Sequence, residues 1–161
     1  MKHEDRKLLI KDLCARQMHN VKCRVKYSFN NETTNGRDVW TEDDDTIKMV
    51  NPEYEEVFIS YISEWVDIEN VKPYLRPMQS MTKGEKEEYR KLCKKVVRKL
   101  YVADGKSWPS NKTTYRYFGT KTEYYDTYQS IDYLISRHFD YRGLIPKGLA
   151  LEATEDMYKE K

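Results

Sequence analysis

The sequence predicts an α+β domain on three observations. Val21, Cys23, Val25 and Tyr27 alternate with Lys22, Arg24 and Lys26, the period of a half-buried strand. Asn35-Gly36 is a strong hairpin signal between apolar runs. Tyr89, Leu92, Cys93, Val96, Val97, Leu100 and Tyr101 recur at helical spacing.

In order along the chain, residues 4–18 read as a helix. Leu9, Ile10, Leu13, Cys14 and Gln17 or Met18 share one side, and charged residues fill the other. No good N-cap precedes it, and His19-Asn20 is its stop. The strand 21–27 follows, then turn residues Asn30 to Gly36. Arg37 to Thr41 is the return strand, Glu42 to Asp45 an acidic turn, and Thr46 to Val50 a third strand closed by Asn51-Pro52. In a fourth strand, Val57, Ile59, Tyr61 and Trp65 share one face, with Phe58 and Ile62 on the other, as in a covered or central strand. Residues 66–81 form a Pro-rich connector, held extended by Pro73 and Pro77.

Thr82 and Glu85 have capping-box spacing and open a long amphipathic helix over 83–101. A polar loop runs from Asp104 to Thr114, and Tyr115 to Phe118 reads as a short strand. Ser130 is placed to cap a short helix carrying Ile131, Leu134 and Ile135, inside a C-terminal segment 130–153 broken by Gly143, Pro146 and Gly148. The expected fold is an N-terminal helix, an antiparallel sheet of about four strands over 21–65, and the long helix packed on it. With 161 residues, the chain is expected to be one domain.

Composition narrows the function classes. Charged residues make up 35%, but 29 basic and 27 acidic side chains leave only +2, so nucleic-acid binding must rest on a local patch. The 14 tyrosines supply bulk with a polar tip, suited to a wet core edge or a binding face. Three widely spaced cysteines, Cys14, Cys23 and Cys93, give no disulfide framework. The N-terminal residues are charged in both signs, and the longest apolar run is Leu100 to Ala103. The expectation is a cytoplasmic protein with free thiols, no secretion signal and no membrane span. The two Asn-x-Thr sequons, at Asn31 and Asn111, carry no weight in that compartment.

Four constellations carry chemistry. From Lys83 to Lys99 there are eight basic and three acidic residues. On a helix, Lys91, Lys94, Lys95, Arg98 and Lys99 make a cationic stripe suited to phosphates. Tyr115, Arg116 and Tyr117, within a segment from Lys112 to Lys121, interleave aromatics with cations, as single-stranded nucleic acid requires for stacking. The alternative is a solvated helix face beside an aromatic strand edge. For a metal, Cys14, Cys23, Cys93, His19 and His138 offer ligand types without ligand spacing, and Glu42 to Asp45 lacks calcium-loop offsets. No metal or cofactor is expected. His138 and Asp140 have the types of a general-base pair, but no nucleophile motif or Gly-rich phosphate loop accompanies them, so no catalytic residue is assigned.

Several longer sequence words remain. They are residues 11–16 (Lys-Asp-Leu-Cys-Ala-Arg), Val21 to Cys23, Val71 to Met78 with Ser80 to Thr82, and His138 to Ile145 with Gly148 to Ala153. Together they resemble a family of small uncharacterised proteins of gut Bacteroides-type bacteria and their phages or prophages. The resemblance leaves out 28–64 and 102–128. It implies a cytoplasmic, mobile-element-linked protein and brings no activity and no site residue. Within those words, Lys72, Tyr74 and Arg76 share one side of an extended segment, a ledge for a ligand or partner together with His138 and Arg142. A purely structural strap is the alternative.

The resulting expectation is a non-enzymatic protein-interaction module of phage or mobile-element origin, with a host or phage protein as partner. A nucleic-acid binder using the 83–101 face is the alternative. A small-molecule binder near the connector is the second.

Overall fold

A computed structural model describes residues 1–29, 39–107, 112–154 and 156–158, with strand side chains described except at 29, 39–42, 101–107 and 112–118. The hairpin residues Asn35-Gly36, like Trp108-Pro109, lie outside the described residues. The fold is mixed α+β. Among the described residues it has three α-helices, a six-stranded sheet and a separate two-stranded sheet. The chain divides into two compact units, one of residues 1–81 and 133–161 and one of residues 82–132.

The first unit opens with α1 (His3–Arg16), which has no side-chain cap at Lys2 and runs into a 3₁₀ turn at Gln17–His19. Asn20 ends it in the left-handed region (φ 49°), the conformation Asn tolerates best among residues with a Cβ. β1 (Lys22–Phe29) pairs antiparallel with β2 (Val39–Asn51) along its whole length. β3 (Glu56–Ile59) and β4 (Glu64–Asp67) extend that side as a hairpin. β5 (Val71–Leu75) pairs antiparallel with the other edge of β1, and β8 (Leu151–Glu152) adds parallel to β5. The order is β4-β3-β2-β1-β5-β8.

Strand alternation decides what is buried. Cys23 and Val25 of β1 and Val21 just before it are buried, and Val57 and Ile59 of β3 and Val71 and Leu75 of β5 join them. Leu9, Ile10 and Leu13 of α1 and Leu144, Leu149 and Ala150 of the C-terminal segment complete this core.

Several expectations change here. The acidic run 42–45 is not a turn: it continues β2, because Val25 to Arg24 of β1 pair with Asp43 to Asp44 and Cys23 pairs with Asp45. The fourth strand is two strands with a turn at 60–63, which leaves Tyr61 exposed rather than on the inner face. The Pro-rich connector contributes a full strand of the sheet. Pro73 lies opposite Cys23, and β5 is buried at Val71 and at 73–75.

The second unit holds the largest correction. The helix expected over 83–101 stops at Leu92: α2 is Lys83–Leu92, with the capping box formed between Thr82 and Glu85. Cys93 turns extended (ψ 151°), and the chain becomes β6 (Lys94–Ser107), paired antiparallel with β7 (Lys112–Tyr125). Val96 and Val97 are β-branched, and the facing run is rich in Thr and Tyr; such residues favour strands. The apolar spacing that fits a helix at 89–101 also fits a ribbon, and cross-strand pairing decides between them. The short strand at 115–118 is accordingly part of a 14-residue one. At the ribbon's base, Thr127 donates to the Leu92 carbonyl (2.7 Å), and the Tyr89 hydroxyl donates to Asp126. α3 (Tyr128–Ser136) follows, capped not by Ser130 alone but by Thr127 and Ser130 reciprocally: each backbone N–H donates to the other's hydroxyl.

Two neighbouring residues separate the observed helix face from the expected one. Leu13 is buried (1% exposed) while Cys14 is exposed. Leu13→Ala should cost about 2–5 kcal/mol in urea unfolding, and Cys14→Ala should stay within about 0.5 kcal/mol. Equal losses would contradict this packing.

Candidate functional site

The cationic residues expected on one helix face lie on two elements. Lys91 stays on α2, whereas Lys94, Lys95, Arg98 and Lys99 are exposed on β6. Strand alternation splits them: Lys94 and Arg98 share one face of the ribbon, Lys95 and Lys99 the other. β7 adds to both faces. Lys121 lies opposite Arg98, Tyr125 opposite Lys94, and Tyr124 opposite Lys95. Tyr115, Arg116 and Tyr117 pair in register with Ala103, Val102 and Tyr101; their side chains lie outside the described residues.

One carboxylate organises the first face. Glu123 sits 2.8 Å from Lys121 Nζ and 3.2 Å from Arg98 Nε, and the Tyr125 hydroxyl donates to it at 2.8 Å. These contacts, Lys121 foremost, hold its carboxyl below the usual range. Arg98 also donates to the Tyr125 hydroxyl (3.2 Å). The guanidinium and the Tyr125 ring are thereby set in place on an exposed surface, with a cation surplus left over. On the helix side, the Arg90 guanidinium lies 5.9 Å from the Tyr124 ring centroid.

Over residues 94–107 and 112–125, the sequence places eight Lys or Arg against Asp104 and Glu123, a net +6. Since the whole chain carries +2, the other 133 residues carry −4. This division of charge is invisible in the total.

The second expected site, the ledge of Lys72, Tyr74, Arg76, His138 and Arg142, behaves differently. Only Lys72 is exposed. Tyr74 is buried, and its hydroxyl donates to Asp44 (2.7 Å). The Arg76 backbone bridges the turn at 138–140, donating to the His138 carbonyl and accepting from the Asp140 N–H, both at 2.8 Å. Its guanidinium covers the Phe139 ring at 4.2 Å. Arg142 Nε lies 3.2 Å from Asp12 as an ion pair, without hydrogen-bond alignment. Arg76 and His138 thus meet through the backbone, and Arg142 pairs with Asp12, as parts of an internal strut.

That strut is centred on a pair the sequence reading left among the solvated residues of α1. Asp12 and Arg16, one helical turn apart, are both fully buried and joined at 2.6 Å. Arg16 also donates to the carbonyls of Phe139 (2.7 Å) and Ile135 (3.3 Å). The i,i+4 spacing was the one available signal, and it does not distinguish a buried pair from an exposed one.

His138 and Asp140 do not form a general-base pair. Asp140 accepts from the backbone N–H groups of Leu144 (2.7 Å) and Ile145 (2.9 Å). His138 is 7% exposed, sits at φ 60° and stacks on Tyr158 at 3.7 Å, and its Nδ1 has no hydrogen-bond partner among the described residues. Burial, then the nearby Arg16, His19 and Arg76 charges, push its pKa down to about 4. Among the described residues, no three His, Cys, Asp or Glu side chains come together to hold a metal ion. Nor is any described helix long and apolar enough to cross a membrane.

No family model, curated protein or solved structure matches the chain. The sequence words that resemble a phage-associated family therefore gain no relative from which a site residue could be carried over.

The buried imidazole has a pH consequence. Unfolded His titrates near 6.5, so between pH 6.5 and 4 the unfolded chain binds the extra proton. Its contribution is intact above pH 6.5 and is lost as pH falls, by about 3 kcal/mol at pH 4. Asn tolerates the positive φ and does not titrate, so His138→Asn should flatten this part of the stability–pH curve, measured by urea unfolding. An unchanged slope in the variant would contradict the assignment.

Proposed function

We propose that the protein binds duplex DNA through the β6–β7 ribbon. The observation that supports it is the segregation of +6 onto 28 ribbon residues of a nearly neutral chain. Phosphate contacts draw affinity from just such a local surplus, through release of condensed counterions. The shape fits as well. A two-stranded ribbon is one of the two elements the B-DNA major groove admits; A-form RNA closes that groove to side chains. Fourteen residues per strand reach about 46 Å at ~3.3 Å per residue, more than one ~34 Å turn of duplex. The register shifts at Leu100/Tyr101 and Ala103/Gly105 add local twist, which lets a ribbon follow a curved groove.

Lysines on unpaired strands also discourage edge-to-edge aggregation. That role is served equally by mixed charges; it does not account for eight cations against two acids. The loss of a single continuous stripe does not weaken the reading. A ribbon lying in a groove runs between two phosphate backbones, and the long cationic side chains of β6 on one strand and Lys121 of β7 on the other put charge along both edges.

A protein-interaction module of mobile-element origin is the second reading. It is favoured by the ribbon's two edges, unpaired among the described residues, and by exposed Val97, Leu100 and Tyr124. Such an edge can receive an added strand from a partner.

Fluorescence anisotropy with labelled duplex DNA, single-stranded DNA and duplex RNA separates these readings. Duplex DNA should bind tightest at physiological salt. Changing Lys94, Lys95, Arg98 and Lys99 to Glu should lower that affinity by about a hundredfold or more while leaving the thermal midpoint of the sheet unit in place. Undiminished binding by the variant, or no binding of any duplex at low salt, would overturn the DNA reading and favour the second.

A further inference from the structure

The outer face of the six-stranded sheet carries an arrangement that a sheet ordinarily avoids. Arg24 of β1 and Lys72 of β5 are directly opposite in register, so two cations face each other across neighbouring strands. Like charges so placed destabilise the pairing. Lys26 follows Arg24 on the same face by strand alternation. All three line one open surface pocket of about 220 Å³, together with Asn70, Glu69 and Leu151.

Two acids nearby are already engaged. Glu69 pairs with Arg6 (2.6 Å), which helps hold its carboxyl below the usual range. Asp44 takes the Nε side of Arg24 at 3.2 Å and accepts the Tyr74 hydroxyl; it does not line the cavity. Among the described residues, Lys72 has no ion-pair partner. Arg24 is steadied by Asp44 and by the Tyr74 ring, 5.8 Å from its Cζ, so its guanidinium is oriented before any ligand arrives.

From this juxtaposition we infer an anion site: Arg24 and Lys72, with Asn70 as a neutral hydrogen-bonding group, receive a phosphate group of a small molecule or a lipid headgroup. An oriented guanidinium offers two parallel N–H donors to phosphate oxygens, and lysine adds a point charge. A bound dianion would also relieve the Arg24–Lys72 repulsion. The volume is below the ~300–1,000 Å³ of sites for drug-sized ligands and suits a single phosphate group. This inference concerns the sheet unit alone and does not depend on what the ribbon binds.

The test uses the whole chain with inorganic phosphate, at constant ionic strength set by sodium chloride. Phosphate should raise the thermal midpoint above the chloride control and shift the amide resonances of residues 24–26 and 69–72. Lys72→Glu should abolish that rise and, without phosphate, melt at or above wild type, because an opposite-charge pair replaces a like-charge one. Lys72→Arg should keep the rise, and Lys72→Gln serves if the acidic variant fails to fold. Sedimentation with phosphatidylcholine vesicles, with and without phosphatidic acid, separates the sources. Vesicle binding that Lys72→Glu removes assigns a lipid headgroup; a response to free phosphate without vesicle binding assigns a soluble ligand. A midpoint no higher in phosphate than in chloride, or a rise that persists in Lys72→Glu, would overturn the site.

Discussion

The Asp12–Arg16 ion pair is what the sheet unit is assembled around. Two opposite charges with no exposure to water are costly unless their remaining hydrogen-bonding capacity is met. Here it is met by distant parts of the chain: Arg16 donates to carbonyls at Ile135 and Phe139, and Arg142 approaches the second oxygen of Asp12. The pair therefore draws the end of α3 and the following turn onto α1. The same turn is bridged by the backbone of Arg76, just past the end of β5, and β5 pairs with β1, one of the two central strands. Removing either charge would strand the other in the core, a loss of about 3–5 kcal/mol. His138, at positive φ and stacked on Tyr158, is held in an otherwise unfavourable backbone conformation by this same arrangement.

The ribbon follows the opposite logic. Its strands pair only with each other among the described residues, and its described side chains are mostly exposed. A lone two-stranded ribbon is marginal in water. What fixes this one is its base, where Thr127 and Tyr89 tie the end of α2 to the turn after β7, together with the network around Glu123. A surface of this kind gains stability from whatever covers it, and the chemistry it presents is cationic and aromatic. The two charged surfaces of the molecule also differ in kind. The ribbon spreads its cations along two faces; the sheet face gathers three around one small pocket.

Much of the fold was legible in local pattern. The N-terminal helix, the alternation at 21–27, the capping box at Thr82 and the breakers Gly143 and Gly148, both at positive φ, appear where local chemistry places them. The failures share a cause. Val96, Val97, Leu100 and Tyr101 satisfy helical and strand spacing together, and only their pairing with residues 117–123 resolves the ambiguity. The acidic run at 42–45 looks like a turn until Lys22, Arg24 and Lys26 of β1 are placed beside β2. Pro73 argued for a connector because it lacks a donor, yet among the described residues β8 pairs only with Tyr74 and Leu75, so Pro73 sits where the outer edge of β5 is open. For the sites, residue type was readable and burial was not. Four of the five ledge residues are packed or hydrogen-bonded into the fold, and the Asp12–Arg16 pair resembled any solvated helix pair.

The claim that the ribbon is a DNA-binding surface is tested most directly by the salt dependence of duplex affinity in the unmodified protein. Lys94, Lys95, Arg98, Lys99 and Lys121 are its exposed described cations. If four or five of them neutralise phosphates, the slope of log affinity against log salt should be about −4, following roughly −0.9 per phosphate. A slope near zero, with binding that survives high salt, would mean that contact is not made through these charges and would contradict the account.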